Sequence, residues 1–245
     1  MSALRSGGWA IALWLALAGT AGADPTLHPG PGDEVLVYSW RIEGIKGLIL
    51  RLIAPGHGEG SLTTVLEKDG IYATELHMSA ESRRDGDFWR YGSTFDPAAG
   101  RSLSAWTAQL IGDKRKAREA DLTDDDLIDL ASGILLVRRD PPTAPRRMRI
   151  WSNGNLYPVV VEPRGEERTV FRGRLTTVRI YAISGYEVPG EREWRGGIEF
   201  HLADDASATP VEMVVLNKGV RARLRLDEEA SQLGLPEVRR AAIAR

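Results

Sequence analysis

One stretch of this chain, Thr123 to Arg138, carries a helical repeat, while almost everything around it alternates with the period of a β-strand. Leu127, Leu130, Ala131, Ile134 and Leu135 fall at i, i+3, i+4, i+7 and i+8, which aligns one apolar stripe along a helix. Thr123 reads as the N-cap, Asp124 to Asp126 as an acidic first turn, and Arg138 with Arg139 as a basic last turn. Pro141-Pro142 ends the repeat. A single helix among strands must bury its stripe against a sheet or inside the open end of a barrel. The predicted fold is therefore all-β: a large curved antiparallel sheet, either a half-open barrel or a two-layer sandwich, with one covering α-helix.

The strands are read from alternation and from turn residues. Val35, Val37, Ser39 and Arg41 alternate with Leu36, Tyr38, Trp40 and Ile42. Comparable runs follow at 48–53, 61–67, 71–79, 88–95 and 103–111, with Lys68-Asp-Gly70 as a tight turn. After the helix, runs at 148–151 and 156–161 flank Ser152-Asn-Gly-Asn155, a strong hairpin signal. Further runs at 167–171 and 175–183 flank Arg172-Gly-Arg174, and strands at 197–202, 211–216 and 220–226 complete the series.

The ends of the chain are read differently. Arg5, the apolar run from Trp9 to Ala18 and the small residues Ala21-Gly-Ala23 have the layout of a signal peptide at residues 1–23. The apolar run is shorter than the roughly 20 residues that span a bilayer. No later run approaches that length, so nothing after the leader is expected to cross a membrane. Residues 24–32 are a Pro/Gly-rich flexible lead-in, 33–226 a single β domain and 227–245 a C-terminal tail. The expected location is the periplasm. Cysteine is absent, which excludes a lipidated N-terminus, disulfides and thiolate chemistry. With 32 Lys and Arg against 34 Asp and Glu, and no basic stripe, nucleic acid is not an expected partner.

Four stretches in order carry a resemblance. They are Gly32-Asp-Glu-Val-Leu-Val-Tyr-Ser-Trp40; Asp129-Leu-Ala-Ser-Gly-Ile-Leu-Leu-Val-Arg138; Gly165 to Val178 with its central Gly173; and His201-Leu-Ala-Asp-Asp205 with Pro210-Val211 and Gly219 to Leu224. Together they resemble DUF3108, a family of exported bacterial domains of unknown function, over about 33–226. Gly133-Ile-Leu stands where that family commonly has aromatics in the helix. The resemblance implies an all-β periplasmic domain and carries over no catalytic residue.

Candidate chemistry is sparse. His28, His57, His77 and His201 form no ligand spacing, and no cofactor or metal is expected. Pro55-Gly-His-Gly-Glu-Gly60 has the glycines of a phosphate loop without its Lys-Ser/Thr or following helix, so it reads as a solvent loop. Three consecutive aspartates diverge on a helix start, which favours dipole capping over cation binding. Asp204-Asp205 reads as a turn, and Ser132 as a packing residue rather than a nucleophile. Arg138 is the exception: it is placed to fork onto Glu166 or Glu167, or onto the anionic head of a ligand.

Aromatics occur throughout the strands, and two readings of them stand. They fill a core, or they line a groove. On the second reading Trp40 and Trp89 join Arg138 as ligand-binding candidates. The functional expectation is a non-enzymatic envelope protein that binds an apolar or amphipathic, lipid-like molecule in the concave face. The alternatives are an interaction module that docks an envelope protein by an edge strand or apolar patch, and an envelope hydrolase.

Overall fold

The computed structural model describes residues 32–44, 56–67, 69–81, 86–217 and 219–233. The leader, the lead-in before Gly32, the run at 48–53, Lys68, Lys218 and the tail past Leu233 lie outside the described residues. The described strands are β1 (Glu34–Glu43), β2 (His57–Leu66), β3 (Tyr72–Ala80), β4 (Phe88–Asp96), β5 (Arg101–Ile111) and β6 (Lys114–Asp121). A two-residue β7 (Leu127–Ile128) leads into the helix α1 (Leu130–Arg139). Then come β8 (Arg146–Ser152), β9 (Asn155–Phe171), β10 (Arg174–Gly185), β11 (Gly196–Ala203), β12 (Pro210–Asn217) and β13 (Val220–Leu233).

These strands form one curved sheet in the order β6-β5-β4-β3-β2-β1-β13-β12-β11-β10-β9-β8-β7. Every pairing is antiparallel except β7 with β8. Period-two alternation decides which side chains face inward. On β1, Leu36, Tyr38, Trp40 and Ile42 are buried, and their concave face continues through Leu62, Leu76, Leu224, Met213, Phe200 and Ile183. α1 lies inside this curve, with Ala131, Ile134, Leu135 and Val137 buried against the concave wall. The expected all-β sheet with one covering helix is what the chain adopts.

The two ends of the sheet overlap instead of meeting. On β8, Met148 and Ile150 belong to the core around α1, while Trp151 faces the opposite way. Trp151 packs with Leu122, Leu127 and Ala105 in a second apolar cluster. Ala105 sits opposite Ser93, which sits opposite Thr74 on the face that carries Tyr72 and Leu76. The concave face of β5 therefore covers the convex face of β8, like the overlap of a rolled sheet. Leu122 N–H donates to Leu103 O at 2.8 Å, and Arg101 Nη1 donates to Thr123 O at 2.7 Å, fastening the connecting loop to β5. One edge, β7, is tucked beneath this flap, and the other, β6, carries exposed Lys114, Arg115, Lys116, Arg118 and Glu119. Both devices protect unpaired backbone from edge-to-edge association.

Several predicted boundaries change. The helix starts six residues later than Thr123, because Asp129 is the N-cap: its carboxylate accepts from Ala131 N at 2.6 Å and Ser132 N at 3.3 Å. Ser132 completes a capping box by accepting from Asp129 N at 2.9 Å. Asp124 to Asp126 are an exposed turn, with Asp126 at φ 55, and Leu127-Ile128 pair with β8. In place of helix capping, Asp125 and Asp126 meet Arg101 at 3.8 Å and Arg146 at 3.3 Å. β6 went unread because its charged sequence has no alternation. The runs at 156–161 and 167–171 are one continuous β9. β13 continues to Leu233, seven residues past Leu226, pairing with the start of β1. Finally, His57 to Gly60 belong to β2, not to a solvent loop; Gly58 and Gly60 are buried there, beneath Trp40 and Leu224 respectively.

Candidate functional site

α1 starts at one end of the roll, and there the interior is not filled. A cavity of about 320 Å³ lies between the concave wall, the first residues of the helix and the 193–197 segment that enters β11. Tyr91 and Thr107 line it from β4 and β5, and Asp129 and Leu130 from the helix start. The β8–β9 turn adds Ser152 and Asn153, and β9 adds Tyr157. That turn is the predicted Asn-Gly hairpin, with Asn153 at φ 52 and Gly154 at φ 82, the pair of positive values a type I′ turn requires.

Trp194 closes the far wall, and its seat is specific. A Cβ on Gly196 would lie 2.5, 2.7 and 2.8 Å from Cε2, Cζ2 and Nε1 of the indole, so the ring lies flat on the Gly196 backbone. A Cβ on Gly185 would lie 2.2 Å from the Trp194 carbonyl oxygen. Two glycines thus let this segment press a flat ring against the sheet; the ring is half-buried and borders the cavity. At the mouth, Glu193 and Arg195 approach to 3.9 Å, both largely exposed.

With Thr107 on β5, Asp129 is one of two buried polar residues that line this space. Besides the two amides, its second oxygen accepts from Ser132 Oγ at 3.0 Å, and Ser132 Oγ lies 2.6 Å from Ser102 Oγ on β5. Desolvation raises the carboxyl above the usual aspartate range, outweighing the hydrogen bonds from Ala131 and Ser132 that favour the anion. A raised folded-state value means that Asp129 favours folding most below the unfolded value of about 3.9. That contribution is lost as pH rises through the folded value. Asp129→Asn keeps an N-cap acceptor without the ionisation. In urea titrations, the stability of Asp129→Asn relative to the wild type is therefore expected to improve as pH rises from about 4 to 8. A difference that stays flat or moves the other way contradicts this reading.

The sequence-selected residues are placed elsewhere. Arg138 is fully buried, and its guanidinium pairs with both oxygens of Glu34, not with Glu166 or Glu167. Its Nε donates to Ala208 O at 3.1 Å and Nη2 to Ser207 O at 3.0 Å, so its donors are directed at the protein and away from any ligand head. Glu166 instead faces Arg179 at 3.6 Å, on the face that carries Leu202, and Glu167 faces His201 at 2.7 Å on the outer face. Trp40 and Trp89 do come together, edge to face at 6.3 Å, but Trp40 is buried and its Nε1 donates to Glu59 O and Ser79 O. This pair lies beside neither Arg138 nor the cavity. What sequence reasoning missed is the Gly185, Trp194, Gly196 set; a glycine two residues after a tryptophan in a strand entry was the available signal.

The outer face carries a lattice of charge. His201 sits between Glu167 and Glu199, its nitrogens 2.7 and 3.3 Å from their oxygens. Arg223 bridges Glu43, at 2.9 Å, and Glu212. Among the described residues no cluster of three or more His, Asp or Glu has metal-binding geometry. No described helix is long and apolar enough to cross a membrane.

No protein-family model matches the chain, and no curated protein matches it in sequence. Solved structures do. The chain is similar to a β-barrel-like protein of the domain of unknown function DUF1849 from Brucella abortus. That match has 10% identity and a TM-score of 0.52, over 83% of this chain and 98% of that one. A weaker likeness reaches a chain of the MucA/MucB complex of Pseudomonas aeruginosa, at 16% identity and TM-score 0.33, over 83% of this chain and 52% of that one. LprF from Mycobacterium bovis gives 11% identity and TM-score 0.30, over 82% and 85%. At such identities the first match speaks for the fold: a β-barrel-like roll.

Proposed function

We propose that this chain is a non-enzymatic binding protein of the bacterial envelope, exported to the periplasm by its leader, with its ligand seated in the cavity at the N-terminus of α1. The observation that carries this reading is that α1 fills most of the concave face yet leaves about 320 Å³ at one end, bordered by Tyr91, Tyr157 and Trp194. That volume is at the lower end of small-molecule sites. The ligand is therefore taken at one end of the roll, not along the whole concave face. Asp129, which borders the cavity, directs its oxygens to the helix amides and Ser132, so it is engaged as a cap rather than held ready as a general base. The periplasmic address rests on the leader and on the resemblance to DUF3108. Native mass spectrometry of protein purified from periplasm is expected to show an added small-molecule mass. Ser152→Trp, which places a ring in the cavity from an accessible turn, is expected to reduce it. A bare wild-type spectrum would count against the proposal.

A second reading, docking of an envelope protein, is favoured by one feature. Beyond Val161 and before Val178, β9 and β10 form a ladder only with each other, and the tip reaches β13 where Arg172 N–H donates to Glu228 Oε2 at 2.7 Å. Near the tip Val170 faces Leu175 across the hairpin, 67% and 58% exposed. An extended partner segment adding to the free edge of β9 would cover them. Loss of a cross-linked partner in a Val170→Asp, Leu175→Asp variant, with the bound mass retained, would support this reading over the first.

A further inference from the structure

We infer that the ligand of this cavity is an uncharged saccharide, stacked by one pyranose face on Trp194; this rests on the cavity being the binding site. A pyranose has an apolar C–H face and a rim of hydroxyls that both donate and accept hydrogen bonds, so it needs a flat ring beside a mixed set of polar groups. The cavity offers that combination. The indole of Trp194 is held flat by Gly196 on one side and borders the cavity. Rings that must lie flat on glycine backbone are costly to place, since a single methyl at residue 196 would collide with three ring atoms.

Around the platform, the hydroxyls of Tyr91 and Tyr157 have no protein hydrogen bond among the described residues. Burial raises the Tyr91 phenol above its ordinary range, so it stays a neutral donor at any physiological pH. Asn153, Ser152 and Glu193 add amide, hydroxyl and carboxylate groups to the lining. An alkyl chain in this space would leave the largely buried Tyr91 hydroxyl without a partner, which is unfavourable for a desolvated polar atom. Asp129 is taken up by the helix amides and Ser132, and Glu193 and Arg195 lie 3.9 Å from each other, so the cavity presents no unpaired charge to an ionic ligand. An uncharged polyhydroxylated ring satisfies the donors and acceptors and uses the indole face.

The test is the indole N–H signal of Trp194 in two-dimensional NMR, assigned by its disappearance in Trp194→Phe. The probes are N-acetylglucosamine with its β-1,4-linked dimer and trimer, maltose, and dodecanoate as an alkyl chain. The signal is expected to shift saturably with at least one saccharide at Kd on the order of 1 mM or tighter. Affinity, read for the variants by isothermal titration calorimetry because they lack this signal, is expected to fall about tenfold or more in Trp194→Ala and to recover largely in Trp194→Phe, which keeps a stacking ring. If Trp194→Ala does not fold, the wild-type shift and the Trp194→Phe affinity decide the matter. Dodecanoate shifting the signal while no saccharide does would overturn the saccharide class and leave the cavity as the site. A signal unmoved by every probe overturns both. Saccharide binding that leaves Trp194 untouched overturns the stacking assignment.

Discussion

Replacing Glu34 with Ala is expected to destabilise the protein by about 3–5 kcal/mol, the usual result of removing one member of a buried ion pair. The partner, Arg138, is 1% exposed and Glu34 is 6% exposed, so water cannot replace the lost carboxylate without opening the roll. Most of this loss comes from stranding the guanidinium, not from the net worth of the pair, because bringing both charges out of water is itself unfavourable. The double variant Glu34→Leu, Arg138→Met is therefore expected to recover most of the stability that Glu34→Ala loses, in chemical denaturation monitored by fluorescence and circular dichroism. The recovery has a limit. Arg138 also holds the carbonyls of Ser207 and Ala208 in the β11–β12 turn, where Ala208 sits at φ 44, and Met cannot replace those bonds. If Glu34→Ala costs less than about 1 kcal/mol, as exposed pairs do, the pair is reached by solvent and the packing described above is wrong.

The same pair shows how far the sequence could be read. That Arg138 is singular was legible, because a charged residue closing an apolar helix stands out against the stripe. That its partner is Glu34 was not, since the two are brought together by the path of the sheet and not by spacing. The strands with clean alternation, such as β1 and β3, were visible for the physical reason that one face is core and the other is wet. β6 and the middle of β9, residues 162–166, hid because both their faces are largely exposed, so no apolar alternation marks them. The helix start slipped because three aspartates imitate an acidic first turn. A box formed by Asp129 and Ser132 settles the competition in favour of the later start, where both side chains are buried and every bond is made. The cavity was invisible for a related reason. It depends on where the helix begins, on the overlap of β5 with β8, and on a ring flattened by glycine, and none of these is a period.

Glycine at residue 58 makes the second large prediction. A Cβ there would lie 2.0 Å from the carbonyl oxygen of Ser79 and 2.9 Å from Cε2 and Cζ2 of Trp40. Backbone, unlike the end of a flexible side chain, cannot swing aside without breaking the β2–β3 pairing in which Gly58 faces Ala80. The displaced carbonyl is also an acceptor for Trp40 Nε1, at 2.9 Å, so the substitution loosens the indole's hydrogen bonding as it displaces its ring. Overpacking of this kind costs about 1–3 kcal/mol, and a weakened buried hydrogen bond adds on the order of 1 kcal/mol. Gly58→Ala is therefore expected to destabilise by about 3 kcal/mol and to weaken the near-ultraviolet signal of the Trp40–Trp89 pair, whose edge-to-face contact at 6.3 Å requires the present tilt. Trp40→Phe in the Gly58→Ala background removes the ring collision but not the collision with Ser79 O. The two substitutions should therefore be coupled, with the double variant more stable than their summed effects but still below wild type. A Gly58→Ala protein within about 1 kcal/mol of wild type would show that β2 can shift away from β3, a freedom that the close contact of Trp40 with this strand otherwise forbids.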